Sequence, residues 1–263
     1  MAIKNKKFSR RSPIAAVVVV LAGLLVSGGS YVAATAAVTT TAKSDVTQAT
    51  IDTGKKLFLA NCASCHGKNA EGTVNAPTLI GVGAASVDFQ VGTGRMPAQA
   101  SGPQIQVKPV QFKQSDIDAL AAYVASLAPG PEVPTESYLT QNGNASHGGE
   151  LFRINCAMCH NAVGAGGALT AGKYAPALTK TSARHIYEAM VTGPQNMPVF
   201  SNSNLSPADK TDIITYLQYV QTHPSVGGDD LSNLGPVAEG LFAWLGILGL
   251  IVLITIWLGA KSN

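Results

Sequence analysis

Four cysteines are the residues of this chain whose spacing most directly indicates a chemistry. They occur in two Cys-x-x-Cys-His motifs, NCASCHG at residues 61–67 and NCAMCHN at residues 155–161. Two thiols one helical turn apart can each form a thioether with a porphyrin vinyl group, and the adjacent histidine can bind the iron. The sequence therefore predicts two covalently bound c-type haems. The predicted attachment and proximal residues are Cys62, Cys65, His66, Cys156, Cys159 and His160.

Two other uses of these cysteines are open to the sequence. A zinc site built from two Cys-x-x-Cys pairs usually has its halves about 15–20 residues apart and would not need the histidines. A disulfide within a Cys-x-x-Cys motif is usually redox-active rather than structural. Haem attachment uses all six residues of the two motifs and is the favoured interpretation.

A methionine is the expected sixth ligand of each iron, because a thioether opposite histidine raises the reduction potential and closes the iron to small ligands. Met96 and Met197 are the candidates, since each precedes a proline in a loop before the last helix of its half of the chain. Met158 lies inside a motif, and Met190 lies in a stretch of helical pattern. Three further histidines could compete and are interpreted as surface residues: His147, His185 and His223.

Neighbouring groups are expected to orient these ligands. A proximal histidine normally donates its free ring N–H to a carbonyl, and the backbone carbonyls of Pro77 and Pro176 are the expected acceptors. Arg95, beside Met96, either approaches a haem propionate or is an ordinary surface arginine.

The elements that must position these residues form an internal repeat. GKKLFLANCASCHG at 54–67 aligns with GGELFRINCAMCHN at 148–161, and APTL and APAL follow at 76–79 and 175–178. A period of roughly 100 residues indicates a duplicated domain rather than a solenoid. Each half should close with an amphipathic helix, at 115–127 with Ser115 as N-cap and at 206–221 with Ser206 as N-cap. Strand signals are nearly absent, and the second half inserts the glycine-rich AVGAGGALTAGKY before its APAL.

Charge and hydropathy place this repeat outside the cytoplasm. Of the 18 Lys+Arg and 15 Asp+Glu residues, 12 and 15 lie between Lys43 and Glu239, a net charge of −3 that does not suit nucleic-acid binding. Residues 1–42 place five cations before an apolar segment, as in an export signal or a retained signal-anchor. Residues 241–260 carry no charge and predict a membrane-spanning helix with a cytoplasmic C-terminus; a buried core helix is the alternative.

With these features, each half resembles a class I cytochrome c domain. The fold is then mostly α: two tandem cytochrome c domains, a C-terminal transmembrane helix and an N-terminal apolar segment. The expected parts are the N-terminal segment 1–42, the first domain 48–130, a linker 131–146, the second domain 147–222, a second linker 223–239 and the transmembrane helix 240–260.

The whole arrangement resembles the dihaem cytochrome c subunit of the actinobacterial cytochrome bcc complex. This resemblance implies an electron-transfer subunit of a quinol–cytochrome c reductase in the cell membrane, with no substrate-converting site on this chain. The implied partners are a cytochrome b subunit, a Rieske iron–sulfur subunit and an aa3-type cytochrome c oxidase. Electrons would pass from the Rieske centre through both haems to copper A, the second domain lying nearer the Rieske centre and the first facing the oxidase.

Two other functions are compatible with the residues. The chain could be a free-standing membrane-bound dihaem cytochrome c, or the cytochrome subunit of a periplasmic dehydrogenase. Catalysis at a haem would require an open sixth position, and the two Met-Pro pairs argue against it.

Overall fold

The computed structural model describes residues 13–39, 46–100, 102–223 and 236–261. The chain forms two compact units, Met1–Val46 and Thr47–Asn263. The described residues are mostly helical, as predicted. The cations before the first apolar segment and most of the predicted second linker lie outside the described residues. The helices are α1 (Pro13–Thr39), α2 (Gln48–Asn61), α3 (Ala63–His66), α4 (Gly83–Gly92), α5 (Gln114–Leu127), α6 (Ala145–Asn155), α7 (Ala157–His160), α8 (Ala183–Thr192), α9 (Pro207–Thr222), α10 (Pro236–Ala243) and α11 (Gly249–Lys261).

Two helical segments are strongly apolar. In the N-terminal unit, α1 carries no charged residue, and its apolar stretch Ala16–Gly29 is shorter than a membrane span. At the other end, Ala238–Lys261 is a continuous helix of 24 residues, with a π-helical turn at Trp244–Leu248 between α10 and α11. It is the one helix among the described residues that is long and apolar enough to cross a membrane, and none of its apolar window is buried. The core-helix alternative is therefore wrong, and the helix fits a membrane anchor.

The first repeat is a small helical domain. Helices α2 and α4 both pack against α5. Apolar residues about one turn apart on these helices form one core cluster, which contains Phe58, Val87, Val91, Ile117, Leu120, Tyr123 and Val124. The ring centroids of Phe58 and Tyr123 lie 5.3 Å apart, so the Leu-Phe pair of the repeated motif anchors the first helix to the last.

The second repeat is built in the same way. Helix α6 packs against α9, and α8 lies beside α9. The core cluster contains Phe152, Ile186, Tyr187, Met190, Ile213, Ile214 and Leu217. Phe152 packs 5.6 Å from Tyr216, at the position that corresponds to the Phe58–Tyr123 contact of the first repeat.

A glycine in each repeat permits the close helix crossing. A Cβ on Gly54 would lie 1.9 Å from the Ala119 carbonyl oxygen of α5, and a Cβ on Gly148 would lie 1.9 Å from the Asp212 carbonyl oxygen of α9. Any larger residue would meet backbone, which cannot rotate away. The first glycine of GKKLF and the first glycine of GGELF therefore occur at matching positions for the same steric reason.

The two closing helices differ in how they begin. At Ser206, the side chain accepts from the Asp209 backbone N–H and the Asp209 carboxylate accepts from the Ser206 N–H, so the predicted N-cap is confirmed as a capping box. The predicted cap at Ser115 is wrong, because α5 begins one residue earlier with Lys113 as its N-cap. The Gln114 amide there donates 2.9 Å hydrogen bonds to both Asp88 and Asp118, which draws Gln114 into the helix.

The two domains touch through α4 and α8. At this contact Arg184 Nε donates to Asp88 Oδ2 across 2.8 Å, and Asp88 is only 1 % exposed. The expected scarcity of strands holds among the described residues except for one antiparallel hairpin, β1 (Gly167–Ala168) and β2 (Tyr174–Ala175), formed by the glycine-rich insertion.

Candidate haem sites

The first attachment motif forms a helical turn that directly continues α2. The Cys62 N–H donates to the Phe58 carbonyl and the His66 N–H to the Cys62 carbonyl, at 2.8 and 3.0 Å. Cys62 is half-buried and Cys65 is exposed, whereas His66 is buried. His66 Nδ1 lies 2.8 Å from the Pro77 carbonyl oxygen. With Nδ1–H donating to that carbonyl, Nε2 is left as the nitrogen free to bind iron.

The second motif repeats this geometry at the end of α6. The Cys156 N–H donates to Phe152 and the His160 N–H to Cys156, at 2.8 and 2.9 Å. His160 Nδ1 lies 3.0 Å from the Pro176 carbonyl oxygen. Both predicted histidine–proline hydrogen bonds are thus confirmed. Burial lowers the pKa of His160, although the Pro176 hydrogen bond has the opposite effect. The lowered pKa favours the neutral imidazole, which is the form that binds a metal.

The thiols do not resemble those of redox-active Cys-x-x-Cys proteins. Burial, followed by the charge of the neighbouring cysteine, raises the pKa of Cys62 and of Cys156 to about 11. Reactive thiols instead have pKa values lowered to roughly 3.5–7.5. All four cysteines are free, so the disulfide alternative is wrong in this structure. Among the described residues, neither cluster that could hold a metal ion contains a cysteine, which also argues against a four-cysteine zinc site.

Each candidate methionine lies on the same core cluster as a cysteine of its motif. Met96 packs on the first cluster together with Cys62. Met197 packs on the second cluster, which includes Cys156. Of the other methionines among the described residues, Met158 is 94 % exposed, whereas Met190 is buried in α8.

A cavity of about 520 Å³ lies at the second motif. Its wall includes Cys156, Cys159, His160 and Met197, so the structure brings all four predicted residues of this site together. The volume falls within the roughly 300–1,000 Å³ of pockets that bury compact ligands. Most of the remaining wall is apolar, including Phe152, Leu169, Leu178, Ile186, Met190, Phe200, Ile213 and Leu217. Two thiols on one turn, an oriented histidine and a thioether in an apolar cavity form a donor set that fits a c-type haem.

Comparison with known proteins agrees with this site. The family model for cytochrome c matches residues 51–128, and the model described as cytochrome c oxidase, cbb3-type, subunit III matches residues 143–217. A cytochrome bc1 complex cytochrome c subunit of Corynebacterium efficiens is 42% identical over 99% of this chain and 93% of its own length. The protein of that name in Mycobacterium tuberculosis strain H37Rv is 47% identical over 82% of this chain and 80% of its own length.

This chain belongs to the family of cytochrome bc1 complex cytochrome c subunits. Its role is therefore that of an electron-transfer cytochrome c, and its two cytochrome c domains and Cys-x-x-Cys-His motifs support c-type haem binding. A weaker similarity exists to the cbb3-type cytochrome c oxidase subunit FixP of Rhizobium meliloti, which is 28% identical over 46% of this chain and 42% of its own length.

Two of the three competing histidines lie on the surface, as predicted. His147 pairs with Asp212 at 2.8 Å, and His223 stacks on Tyr219. The surface interpretation of His185 is wrong. This residue is half-buried in the wall of the second cavity, edge-on to Phe89 of the first domain, with ring centroids 6.0 Å apart. Sequence could not reveal this position, because it depends on packing between domains.

Residues of the first domain also enter the second site. Arg95 is half-buried in the wall of the second cavity, so the plain surface interpretation of this arginine is wrong. Gln104 and Val107, which belong to no sequence motif, line the same wall. No local pattern marks them, and only the docking of the two domains brings them to the site.

Proposed function

We propose that this chain is the membrane-anchored dihaem cytochrome c subunit of a respiratory bcc complex. In this role it carries electrons from a Rieske iron–sulfur centre to the copper A centre of an aa3-type oxidase, with one haem in each domain. The observation that carries the proposal is the doubled attachment turn, each copy with a buried histidine held by a proline carbonyl. The names of relatives that are 42% and 47% identical over most of their length support the assignment to a bc1-type complex.

The residues proposed to hold the two haems are the following. Cys62 and Cys65 would hold the first haem covalently, with His66 and Met96 as iron ligands; Cys156 and Cys159 would hold the second, with His160 and Met197. A c-type haem supplies reversible one-electron chemistry at its iron when bound.

The chain contributes orientation, coordination and exclusion of water. The proline carbonyls accept hydrogen bonds from Nδ1 of His66 and His160, which fixes both rings and leaves each Nε2 free to bind iron. Each methionine would supply the remaining iron ligand, which favours electron transfer over binding of small ligands. The apolar wall of the second cavity lowers the local polarity. A site of this kind would suit electron transfer rather than conversion of a substrate.

The alternative role, as a carrier or as the cytochrome subunit of another redox enzyme, is less well supported. The similarity to FixP covers less than half of each chain, at 28% identity. The apolar helix Ala238–Lys261 follows the second cytochrome c domain, and we infer that it anchors the chain with the haem domains outside the cytoplasm and the C-terminus inside.

Purification in mild detergent through a tag on this chain tests the proposal. We expect covalent haem on the chain and a cytochrome b subunit, a Rieske subunit and oxidase subunits in the same preparation. Recovery of a solitary haem-bearing chain, or of one bound to a dehydrogenase, would contradict the assignment to a bcc complex.

The haem count is tested separately. The ratio of haem to chain should be two, and it should fall to one in both Cys62→Ala/Cys65→Ala and Cys156→Ala/Cys159→Ala. A ratio of one in the unaltered chain would refute the dihaem assignment.

The arrangement in the membrane and in the complex needs its own measurements. A reporter that is active only in the cytoplasm, fused after residue 263, should be active; an inactive fusion whose chain is inserted would reverse the orientation. Cross-linking with mass spectrometry should join the second domain to the Rieske subunit and the first to the oxidase. The opposite pattern of cross-links would mean that electrons pass through the two haems in the reverse order.

A further inference from the structure

The second cavity is closed by residues of the first domain. Its wall includes Phe89 from α4, Thr93 just after this helix, and Arg95, Gln104 and Val107 from the loop that follows. The cavity that contains the second attachment motif therefore belongs to both domains, and its chemistry depends on what the first domain places there.

The charged side chains of this wall are all positive. Among the described residues that line the cavity, Arg95, Lys173 and Lys180 are cationic and no carboxylate is present. A haem carries two propionates, so an anionic group would meet a complementary surface here. The imbalance is specific to this wall, because the part of the chain between the apolar segments has a net charge of −3.

Arg95 is a cation of this wall that has no carboxylate partner among the described residues. It is half-buried, and burial lowers its pKa, although a guanidinium remains charged at any physiological pH. Within the described residues it forms no salt bridge, and its guanidinium carbon lies 4.9 Å from the centre of the Phe89 ring. Arg184, by contrast, is paired with Asp88 at 2.8 Å. A half-buried cation without a carboxylate partner indicates an anionic ligand.

The loop that carries Arg95 is fixed onto the second domain at two points. The Gln104 amide forms a pair of hydrogen bonds with the backbone of Tyr174 in β2: Nε2 donates to the carbonyl at 2.8 Å and Oε1 accepts from the N–H at 2.7 Å. The Ile105 N–H donates to Gln195 Oε1 across 3.2 Å. Tyr174 and Gln195 both line the cavity, so these contacts hold the loop over it.

The base of the loop is fixed as well. Gly94 has a φ of +73°, and a Cβ there would lie 1.8 Å from the Lys108 carbonyl oxygen, so glycine is required. The Lys108 N–H donates to the Gly94 carbonyl at 3.2 Å and ties the two ends of the loop together. Arg95 therefore extends from a backbone that is held on both sides.

We propose that Arg95 of the first domain binds a propionate of the haem attached to the second domain, and that Gln104 is the positioning residue that holds the Arg95 loop over this site. The inference rests on the proposed function, since it requires a haem at Cys156 and Cys159. The guanidinium donates charge-assisted hydrogen bonds to the carboxylate. Its positive charge opposes the extra positive charge of oxidised iron and raises the reduction potential of the second haem.

Spectroelectrochemical titration of the haem-loaded full chain in detergent tests this inference. Met197→His first identifies the second haem, because exchanging a thioether for imidazole lowers the potential of that haem alone. Arg95→Gln should then lower the potential of the same component by an amount equivalent to on the order of a threefold to tenfold change in its redox equilibrium constant. Gln104→Ala should shift this component in the same direction by a smaller amount.

Two control variants separate the charge of Arg95 from other effects. Arg95→Lys keeps the charge and should retain part of the potential, whereas Lys56→Gln removes a cation from exposed α2 and should leave both components unchanged. The inference would be overturned if Arg95→Gln shifted the reduction potential of the first haem alone, shifted both potentials equally, or shifted neither. Absence of covalent haem at the second motif of the unaltered chain would instead refute the proposed function. Haem staining distinguishes this result from a failure of the Arg95 inference.

Discussion

The salt bridge between Asp88 and Arg184 leads to a prediction about how the two domains are held together. Asp88 of α4 is 1 % exposed and Glu188 of α8 is fully buried, and Arg184 Nε lies 2.8 Å from the first carboxylate and 3.5 Å from the second. Arg184 is therefore the cation that compensates a buried acidic pair. Replacing it by methionine keeps much of the apolar stem and removes the charge.

The cost follows from the burial of the group left behind. Removing one partner of a buried ion pair typically costs about 3–5 kcal/mol, because the other charge stays buried without compensation. The Arg184 side chain is one-third exposed, and Asp88 keeps a 2.9 Å hydrogen bond from Gln114. Both facts place the expected loss at the lower end, about 3 kcal/mol. With a urea dependence of up to roughly 3 kcal/mol per molar, the midpoint should fall by roughly 1 M.

Urea unfolding of the full chain in detergent, followed by circular dichroism, measures this loss. The matched control is Arg153→Met, which removes an exposed arginine of α6 and should change the free energy of unfolding by less than about 0.5 kcal/mol. Adding Asp88→Asn to Arg184→Met removes the uncompensated charge and should restore part of the stability. If Arg184→Met unfolded at the same urea concentration as Arg153→Met, the buried pair would not stabilise the interface and the reasoning would fail.

The protonation state of this cluster is itself informative. Neither Glu188 oxygen accepts a hydrogen bond among the described residues. Burial, followed by the adjacent Asp88, raises the pKa of Glu188 to about 10, so this carboxyl is neutral at pH 7. Against the effect of burial, the neighbouring Glu188 carboxyl and the Arg184 charge hold the pKa of Asp88 below its usual value. A proton on Glu188 and the positive charge of Arg184 thus neutralise the two buried carboxyl groups.

Further outcomes follow from individual residues. Because the folded-state pKa of Glu188 exceeds its unfolded value, the folded chain binds an extra proton, and stability should fall as pH rises from about 5 towards 10. Glu188→Gln should weaken this pH dependence in urea titrations at several pH values. An unchanged pH dependence would assign the effect to another group. Gly148→Ala should lower the free energy of unfolding by about 1–3 kcal/mol, because the added methyl group forces α6 away from α9. Gly102→Ala, whose added Cβ would have its nearest contact at 3.8 Å, is the control and should leave the melting temperature nearly unchanged. Equal melting temperatures of the two variants would exclude the steric argument. Met197→Ala should leave the second haem attached but open to carbon monoxide, whereas exposed Met158→Ala should not, and a carbon-monoxide-insensitive reduced spectrum of the first variant would remove Met197 as ligand.

The sequence by itself determined the features that depend on short stretches of neighbouring residues and on no tertiary contact. A Cys-x-x-Cys-His motif places its thiols and imidazole within one helical turn whatever surrounds it, so the attachment turns are contained in five consecutive residues. The apolar helix Ala238–Lys261 is equally local, because its length and composition alone fit a membrane anchor. The proline carbonyls that hold His66 and His160 were predictable because each repeat offers the same Ala-Pro-x-Leu stretch shortly after its motif.

Only the tertiary structure decided how the two repeats share a site. The Asp88–Arg184 pair joins residues 96 positions apart, and the Gln104–Tyr174 pair joins residues 70 positions apart. No local periodicity encodes such contacts, since each helix is already a plausible amphipathic element without its partner. The same limit explains the error at Ser115: the local pattern favoured Ser115 as the N-cap, but the hydrogen bond from Gln114 to Asp88 of the neighbouring helix α4 places Gln114 in the helix. Local patterns predict the candidate haem-attachment residues, whereas interdomain packing brings Arg95 and other first-domain residues to the wall of the second cavity.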